Sequence, residues 1–202
     1  MQAMKPKLLL ATNNPGKVEE LLALLAGLDL EILTPDALGI AITVIEDGQT
    51  YAQNAAIKAC AFAEASGLVA LGDDSGLEVD ALNGKPGLFS NRFAPQGNAS
   101  DADRRSYLLD QLCGKPRPWT ACFKATLAVA FSATEYRLAT GCCVGEIIPE
   151  ERGTNGFGYD PIFLIPPLNR TMAELTMDEK NRLSHRAKAV ANAVAILTEL
   201  LH

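Results

Sequence analysis

Apolar residues along this 202-residue chain fall into short runs and alternating stretches that predict β-strands. A run of about four apolar residues, or an apolar residue at every second position, is typical of a strand with one or both faces buried. The long alternation from Trp119 to Phe131 resumes as extended character from Tyr136 to Ile148, which predicts two long antiparallel strands. Shorter strands are predicted at residues 8–11, 31–33, 40–45 and 162–165.

Segments with helical spacing of apolar residues lie between these strands. Thr50 begins one such segment with Gln53 three residues on, which is a capping-box pattern, and glycines such as Gly27 and Gly67 end the periodic runs. Ser100 is the predicted cap of another helix. Helices are predicted at residues 18–26, 50–66, 101–113 and from about 178 to 201. Helices combined with a hairpin predict an α/β fold whose mixed β-sheet is flanked by helices.

The centre of the chain carries the acidic segment Gly72-Asp73-Asp74-Ser75-Gly76 between two apolar runs, 68–71 and 77–82. We interpret it as a strand, a tight turn and a second strand, because aspartate and glycine favour turns. Two adjacent carboxylates at the end of a buried strand are costly to desolvate unless a metal, a cation or hydrogen-bond donors compensate them. A structural turn and a divalent-metal site therefore both remain open for these five residues.

Length, net charge and cysteine content restrict the kinds of protein that this chain could be. The length suits one domain, residues 1–202, and the net charge of −6 argues against duplex DNA or RNA as the main partner. The five cysteines show no metal-binding or redox spacing, which favours reduced thiols and a reducing compartment. The N-terminal strand candidate is too short for a signal-peptide core and no run reaches membrane-spanning length, so we expect a cytoplasmic protein without a membrane partner.

The loop Thr12–Lys17 precedes a predicted helix and ends in a lysine. Backbone N–H groups at a helix start bind anions, so this loop is a candidate phosphate site. It is not a Walker A loop, because Ala11 and Val18 stand where that pattern needs Gly and Ser or Thr. A capped helix start with an exposed lysine is the alternative.

Three further groups of residues could carry chemistry. Asn54 and Lys58 share a helix face, four residues apart, and either Glu46 or Asp47 in the loop before them could join a metal site that needs only two carboxylates. In residues 153–161, two aromatic residues stand among three glycines, where a ring can stack on a base. A third group of polar side chains, at residues 180–186, consists of Lys180, Ser184, His185 and Arg186. Each group also has an ordinary structural reading, as a solvated loop, a hairpin corner or surface residues.

Taken together, these segments resemble the inosine triphosphate pyrophosphatase family, the non-canonical purine nucleoside triphosphatases that cleanse the nucleotide pool. The resemblance covers nearly the whole chain. It rests on Ala11–Lys17, Glu46-Asp47-Gly48 with Asn54 and Lys58, Asp73–Leu77, Lys85-Pro86-Gly87 with Ser90 and Arg92, Gly156–Pro161, and Lys180 followed by Ser184-His185-Arg186. It implies an elongated mixed sheet, two lobes with a cleft between them, a homodimer, and Mg²⁺-dependent hydrolysis of ITP, dITP or XTP to the monophosphate and pyrophosphate.

The resemblance also implies a role for each matching residue. Asp74 is implied as the catalytic proton acceptor and as a Mg²⁺ ligand, with Glu46 the second ligand and Asp73 in support. The implied substrate contacts are Thr12, Asn13, Asn14, Pro15, Gly16, Lys17 and Lys58 on the triphosphate, Ser75 beside them, Phe157, Gly158, Tyr159 and Asp160 around the base, and Lys180, His185 and Arg186 at the base edge.

The chain departs from the family pattern at Ile45 and Gln53, where many members carry glutamate. If the position of Ile45 held the family's metal ligand, Glu46 would not be the ligand here. Two other functions remain to be weighed. A non-catalytic nucleotide-binding protein on the same scaffold is disfavoured because Asp73 and Asp74 are both present. A single-stranded RNA-binding module is disfavoured by the acidic balance.

Overall fold

The computed structural model describes residues 5–201 and contains one mixed, seven-stranded β-sheet. The strands lie side by side in the order β2-β1-β3-β4-β5-β6-β7. They are β1 (Lys7–Leu10), β2 (Glu31–Leu33), β3 (Val69–Val79), β4 (Trp119–Ala130), β5 (Tyr136–Ile147), β6 (Phe163–Ile165) and β7 (Arg170–Thr171). β1 pairs in parallel with β2 and β3, whereas β6 pairs antiparallel with β5 and β7. The predicted mixed sheet is therefore confirmed.

Within residues 5–201, five α-helices accompany the sheet: α1 (Pro15–Leu25), α2 (Tyr51–Ser66), α3 (Asp101–Leu112), α4 (Met177–Leu183) and α5 (His185–Leu201). At the start of α2, only one of the two hydrogen bonds of the predicted capping box is formed. The Thr50 side chain accepts the Gln53 N–H at 3.1 Å, but the Gln53 side chain accepts the Gln49 N–H rather than that of Thr50. At α3 the box is complete, with Asp103 as the partner of Ser100.

The acidic segment at the centre of the chain is not a turn. β3 runs without interruption from Val69 to Val79, so the prediction of a strand, a turn and a second strand is wrong. The two aspartates stay in the strand because other parts of the chain supply partners for their carboxylates, as described below. Local turn propensity was overridden by tertiary contacts.

Two other predictions were also wrong. Residues 40–48 contain no strand in this described stretch, although Ile40, Ile42 and Val44 alternate as a strand would. These three side chains pack against a buried cluster without pairing to a neighbouring strand. The C-terminal helix is divided at Ser184, whose backbone is extended, so that α4 ends there and α5 begins at His185.

The described chain divides into two compact units. Unit 1 comprises residues 5–74, 125–141 and 186–201, and unit 2 comprises residues 75–185 without 125–141. Unit 1 has two apolar clusters, one formed with residues of β1, α1 and α5 and the other with residues of β1 and α2. Unit 2 has one, in which α3 contributes Leu108 and Leu112 and β6 contributes Phe163. The single domain expected from length, and the cleft between two lobes, stay predictions.

Two expectations from composition can be examined directly. Within residues 5–201, no helix has both the length and the apolar character required to cross a membrane. All five cysteines lie in the described part of the chain and are reduced. Residues 1–4 of the N-terminal segment lie outside the described residues.

Candidate active site

The loop after β1 is folded by its own side chains into the start of α1. The Thr12 hydroxyl accepts the Asn14 N–H at 3.2 Å, and the Asn14 side chain caps the helix by accepting the Lys17 N–H at 3.1 Å. Pro15 occupies the first helical position, where its missing N–H costs nothing. The loop therefore presents the start of an 11-residue helix, with its positive dipole end and a lysine in the first turn.

Two lysines from different helices meet at the backbone of Asp73. Lys17 Nζ donates to the Asp73 carbonyl at 3.1 Å, and Lys58 Nζ donates to the same oxygen at 3.0 Å. Lys17 Nζ also lies 2.7 Å from Asp73 Oδ1, while Lys58 Nζ lies 3.0 Å from Glu46 Oε1. Sequence motifs predicted for phosphate binding are thus brought together within unit 1.

Asp73 is the centre of a buried charge network. Its carboxylate, 0% exposed, accepts from Arg186 Nε at 2.7 Å and pairs with Lys17. The other end of the Arg186 guanidinium pairs with Glu20 of α1. Two carboxylates therefore face the two cations Arg186 and Lys17, so the charges compensate one another inside the unit.

Asp74 has different surroundings from its neighbour. Asn54 Nδ2 donates to Asp74 Oδ2 at 3.1 Å, and Asn54 Oδ1 accepts the Gly48 N–H at 2.8 Å. One asparagine of α2 thereby ties the carboxylate to the loop that carries Glu46. Burial raises the pKa of Asp74 above its usual value, against the opposing effect of Lys17 and Lys58.

The pKa of Asp73 is shifted in the opposite direction. Burial alone would raise it, but the charges of Arg186 and Lys17 hold the pKa of that carboxyl well below its usual range. Burial also lowers the pKa of the Lys17 ammonium, although Asp73 opposes this effect. Of two consecutive aspartates, one is therefore fixed as a counterion, and the other has the higher proton affinity that a general base requires.

The strand that carries these carboxylates lies directly against α2. A Cβ at Gly72 would collide with the Ala55 carbonyl oxygen and would stand 2.9 Å from the Ala59 nitrogen. Only glycine permits this approach, and the same helix carries Asn54 and Lys58. The close contact therefore sets how near those two side chains come to β3.

The donor set around Asp74 fits a hard divalent cation. Glu46 and Asp74 supply carboxylate oxygens, and Glu46 adds to the rise in the pKa of Asp74, a repulsion that a cation would relieve. Residues 5–201 hold no cluster of three or more His, Cys, Asp and Glu side chains suited to a metal. Mg²⁺ fits this arrangement because it usually takes one or two protein carboxylates and completes its shell with waters and substrate phosphates.

The predicted base-binding loop lies in unit 2. Asp160 accepts the Phe157 N–H at 3.0 Å and also pairs with buried Lys180, whose ammonium lies 5.3 Å from the centre of the Phe157 ring. Tyr159 is buried and donates its hydroxyl to the Ser90 carbonyl at 2.9 Å. Phe157, Asp160 and Lys180 thus form one cluster, and their contact with a base stays a prediction.

Three further residues of the predicted site are His185, Ser75 and Arg186. His185 is buried in unit 2, with its ring stacked on Phe123 at 4.8 Å between centroids. Ser75 is half-buried and follows Asp74 in β3. Arg186 belongs to unit 1, where its guanidinium is 1% exposed and contacts Asp73 and Glu20.

Three residues of functional interest escaped sequence reasoning. Glu20 was missed because its partner in the buried ion pair is Arg186, 166 residues away in the chain. Asp101 and Arg105 of α3 contact Gly158 of the predicted base-binding loop, more than 50 residues away. No local pattern points to that contact, since only the fold brings the two segments together.

Comparison with known proteins identifies the relationship. A family model described as the Ham1 family matches residues 8–196. The chain belongs to the Ham1 family. A protein of Desulforamulus reducens named dITP/XTP pyrophosphatase is 46% identical over 195 residues, which cover 96% of this chain and 96% of the relative. The resemblance noted from the sequence is thereby confirmed.

Solved structures of the Ham1 family share the fold. A HAM1 protein from Coxiella burnetii superposes with a TM-score of 0.86 at 39% identity and covers 96% of this chain and 99% of its own. The Ham1 protein of Staphylococcus aureus gives a TM-score of 0.84 at 36% identity, with the same coverage of both chains. The α/β architecture is therefore that of the family.

Proposed function

We propose that this chain is a nucleoside-triphosphate pyrophosphatase that hydrolyses non-canonical purine nucleoside triphosphates, namely ITP, dITP and XTP, to the monophosphate and pyrophosphate. The observation that carries the proposal is the cluster in unit 1, where Lys17 and Lys58 converge on the peptide that precedes Asp74. Membership of the Ham1 family supports it, as does the name dITP/XTP pyrophosphatase carried by relatives.

The triphosphate binds at the start of α1. Side chains of residues 12–17, and the backbone N–H groups of Asn13 and Gly16, contact phosphate oxygens, and the helix dipole favours their negative charge. Lys17 and Lys58 add two positive charges in a partly buried setting, where charge interactions are stronger than in water. Ser75, next to Asp74 in β3, contacts the same substrate.

Asp74 acts as the general base of the reaction. It accepts a proton from the water that attacks the α-phosphorus, and the bond from that phosphorus to the oxygen bridging to the β-phosphate breaks. Pyrophosphate leaves with the electron pair of that bond, and the lysines stabilise its charge. Asn54 Nδ2 donates to Asp74 Oδ2, which holds the carboxylate in place for this role.

Mg²⁺ is the cation we propose for Glu46 and Asp74. When bound, it neutralises charge on the triphosphate and on the departing pyrophosphate. Asp73 does not share this role in our proposal, because Lys17 and Arg186 already occupy its carboxylate. In our proposal, Asp73 holds Lys17 through its carboxylate, and its carbonyl fixes the peptide that joins it to Asp74.

The loop of Phe157 and Tyr159 selects the base. Phe157 stacks on the purine, and donors including Lys180 and His185 face the 6-keto oxygen of hypoxanthine or xanthine. Adenine presents a 6-amino donor there and leaves those groups unpaired, which costs binding energy. The contacts of Arg186 with Asp73 and Glu20 favour a positioning role for it, and its contact with the base edge stays a prediction.

Pyrophosphate release provides the test of the proposed function. We expect the protein to release pyrophosphate and monophosphate from ITP, dITP and XTP far faster than from dATP or GTP, and chelation of Mg²⁺ to stop the reaction. Release of single phosphates, or equal rates on all five nucleotides, would contradict the proposal. Sedimentation of the purified protein tests the expected homodimer separately, and a reducing cytoplasmic location also stays a prediction.

A further inference from the structure

Helix α3 holds both polar backbone groups of Gly158. Asp101 Oδ2 accepts the Gly158 N–H at 2.8 Å, and Arg105 Nη1 donates to the Gly158 carbonyl at 2.9 Å. The N–H belongs to the peptide joining Phe157 to Gly158, and the carbonyl to the peptide joining Gly158 to Tyr159. Asp101 and Arg105, one helical turn apart, therefore orient the two peptide groups of Gly158. These peptides connect Gly158 to Phe157 and Tyr159 and so set the directions of the two aromatic side chains.

Each of these two side chains is itself held in place. Arg105 donates Nε and Nη2 to the two carboxylate oxygens of Glu151 at 2.8 and 2.9 Å, which directs Nη1 at Gly158. Such a fork fixes the plane of the guanidinium. Asp101 is the first residue of α3 and pairs with Arg104. Burial opposes ionisation of Asp101, yet the Gly158 N–H and Arg104 lower the pKa of its carboxyl below the usual value.

Gly158 itself contributes little to the rigidity of the loop. It adopts φ +61°, a left-handed conformation, and glycine has the widest choice of backbone angles. Its N–H and carbonyl are satisfied by side chains rather than by a helix or sheet ladder. Without those side chains the two peptides would turn to water, and the ring of Phe157 would lose its fixed direction.

We propose that Asp101 and Arg105 are positioning residues for purine selection, acting through Gly158 on the loop that we propose contacts the base. This inference rests on the proposed function, because selection is meaningful only if the loop binds purines. Neither residue touches the substrate or the reacting phosphorus. Their loss therefore weakens discrimination and raises KM, while kcat for dITP changes little.

The experiment measures kcat and KM for dITP and dATP, which differ at the 6-position of the base, in matched variants. We expect Asp101→Ala and Arg105→Ala each to reduce the ratio of kcat/KM for dITP to that for dATP by about tenfold, the effect of losing one hydrogen bond that orients the loop. Asp101→Asn should retain the wild-type ratio, because its amide oxygen still accepts the Gly158 N–H. Arg117→Ala, which removes a surface pair with Glu146 in the same unit, is the control.

The outcomes separate this inference from the proposed function. A wild-type protein that discriminates between dITP and dATP, with the same ratio in Asp101→Ala and Arg105→Ala, would overturn the positioning role alone. A wild-type protein that treats all purines equally would overturn both. If Arg105→Ala does not fold, the Asp101→Ala and Asp101→Asn pair decides the question, and equal ratios in those two variants would count against it.

Discussion

The carboxylate site of unit 1 and the aromatic loop of unit 2 are held in place by different physical means. In unit 1, Asp73 is fully buried and compensated by Arg186 and Lys17, which come from positions far apart in the sequence. In unit 2, Gly158 is held by the part-exposed side chains of Asp101 and Arg105. The first region depends on buried charge, and the second on hydrogen bonds near water.

This difference indicates how each region tolerates change. Removing one member of a buried ion pair leaves an uncompensated charge and costs several kcal/mol, whereas a partly exposed hydrogen bond contributes about 1 kcal/mol. The carboxylate site of unit 1 is therefore expected to lose its fold or its chemistry when altered. The loop is expected to change its selectivity while the protein remains folded.

The largest effect should come from Asp74→Asn. We expect kcat for ITP to fall by about 1000-fold, within the range contributed by a positioned general base, while the protein stays folded. Pyrophosphate release and circular dichroism measure the two properties. Asp47, an exposed aspartate of the loop before α2, is changed to Asn as the control and should stay active. Unfolding of Asp74→Asn would show that this carboxylate is structural, and the contrast with Asp73 would break down.

Arg186→Met should have the next largest effect, and on stability. The change leaves Asp73 and Glu20 buried without their shared cation, and we expect a loss of about 3–5 kcal/mol in the free energy of unfolding. Urea denaturation measures it. Arg137→Ala removes an exposed pair with Glu199 in the same unit and should leave the unfolding midpoint unchanged. Equal midpoints for the two variants would remove the distinction between buried and exposed charge.

The pH dependence of stability should separate the two aspartates. Asp73 has a lower pKa in the folded than in the unfolded protein, so its contribution is complete above about pH 4 and is lost as the pH falls further. Asp74 has a raised pKa, so its ionisation destabilises the metal-free protein at neutral pH, and that effect disappears as the pH falls towards about 4.

Thermal unfolding in EDTA tests this pair of opposite shifts. At pH 7 we expect Asp74→Asn to be more stable than the wild type, with the difference shrinking as the pH approaches about 4. Below that pH both proteins should lose stability, since Asp73 becomes protonated in the unfolded chain first. A difference between the two proteins that is constant from pH 7 to 4 would contradict the raised pKa of Asp74.

Lys17→Ala should give the smallest of these effects. Arg186 still compensates Asp73 in this variant, so we expect the fold to persist and KM for ITP to rise about tenfold through the loss of one phosphate contact. Lys7→Ala, which alters an exposed lysine of β1, is the control. Unchanged KM and kcat in Lys17→Ala would argue that the loop before α1 does not bind the triphosphate.

Patterns that depend on neighbouring residues were predictable from the sequence. The caps at Thr50 and Gly67 mark the ends of α2, and the alternation after Trp119 marks β4. The prediction for the acidic segment was wrong because Asp73 has partners 56 and 113 residues away, and no local pattern contains Lys17 or Arg186. Tertiary contacts converted an expected turn into the middle of a strand.

The same reasoning explains the smaller errors. Ile40 to Val44 alternate as in a strand because alternate side chains pack inward, but hydrogen bonding to a neighbour cannot be inferred from that alternation. The apolar stripe continues past Ser184, which concealed the break between α4 and α5. For the candidate site, the sequence motifs contain most residues of each cluster. Which of these residues form ion pairs with one another could be learned only from the fold.

Because Gly72 has no side chain, it determines how close α2 lies to β3 and therefore where the side chains of that helix reach. Even one added methyl group would have to push the backbone of α2 away from β3. Since that helix supplies an ammonium and an amide to the carboxylate site, both would be displaced together. A position that can neither donate a proton nor bind a phosphate through its side chain thereby acts as the spacer that sets the geometry for residues that do.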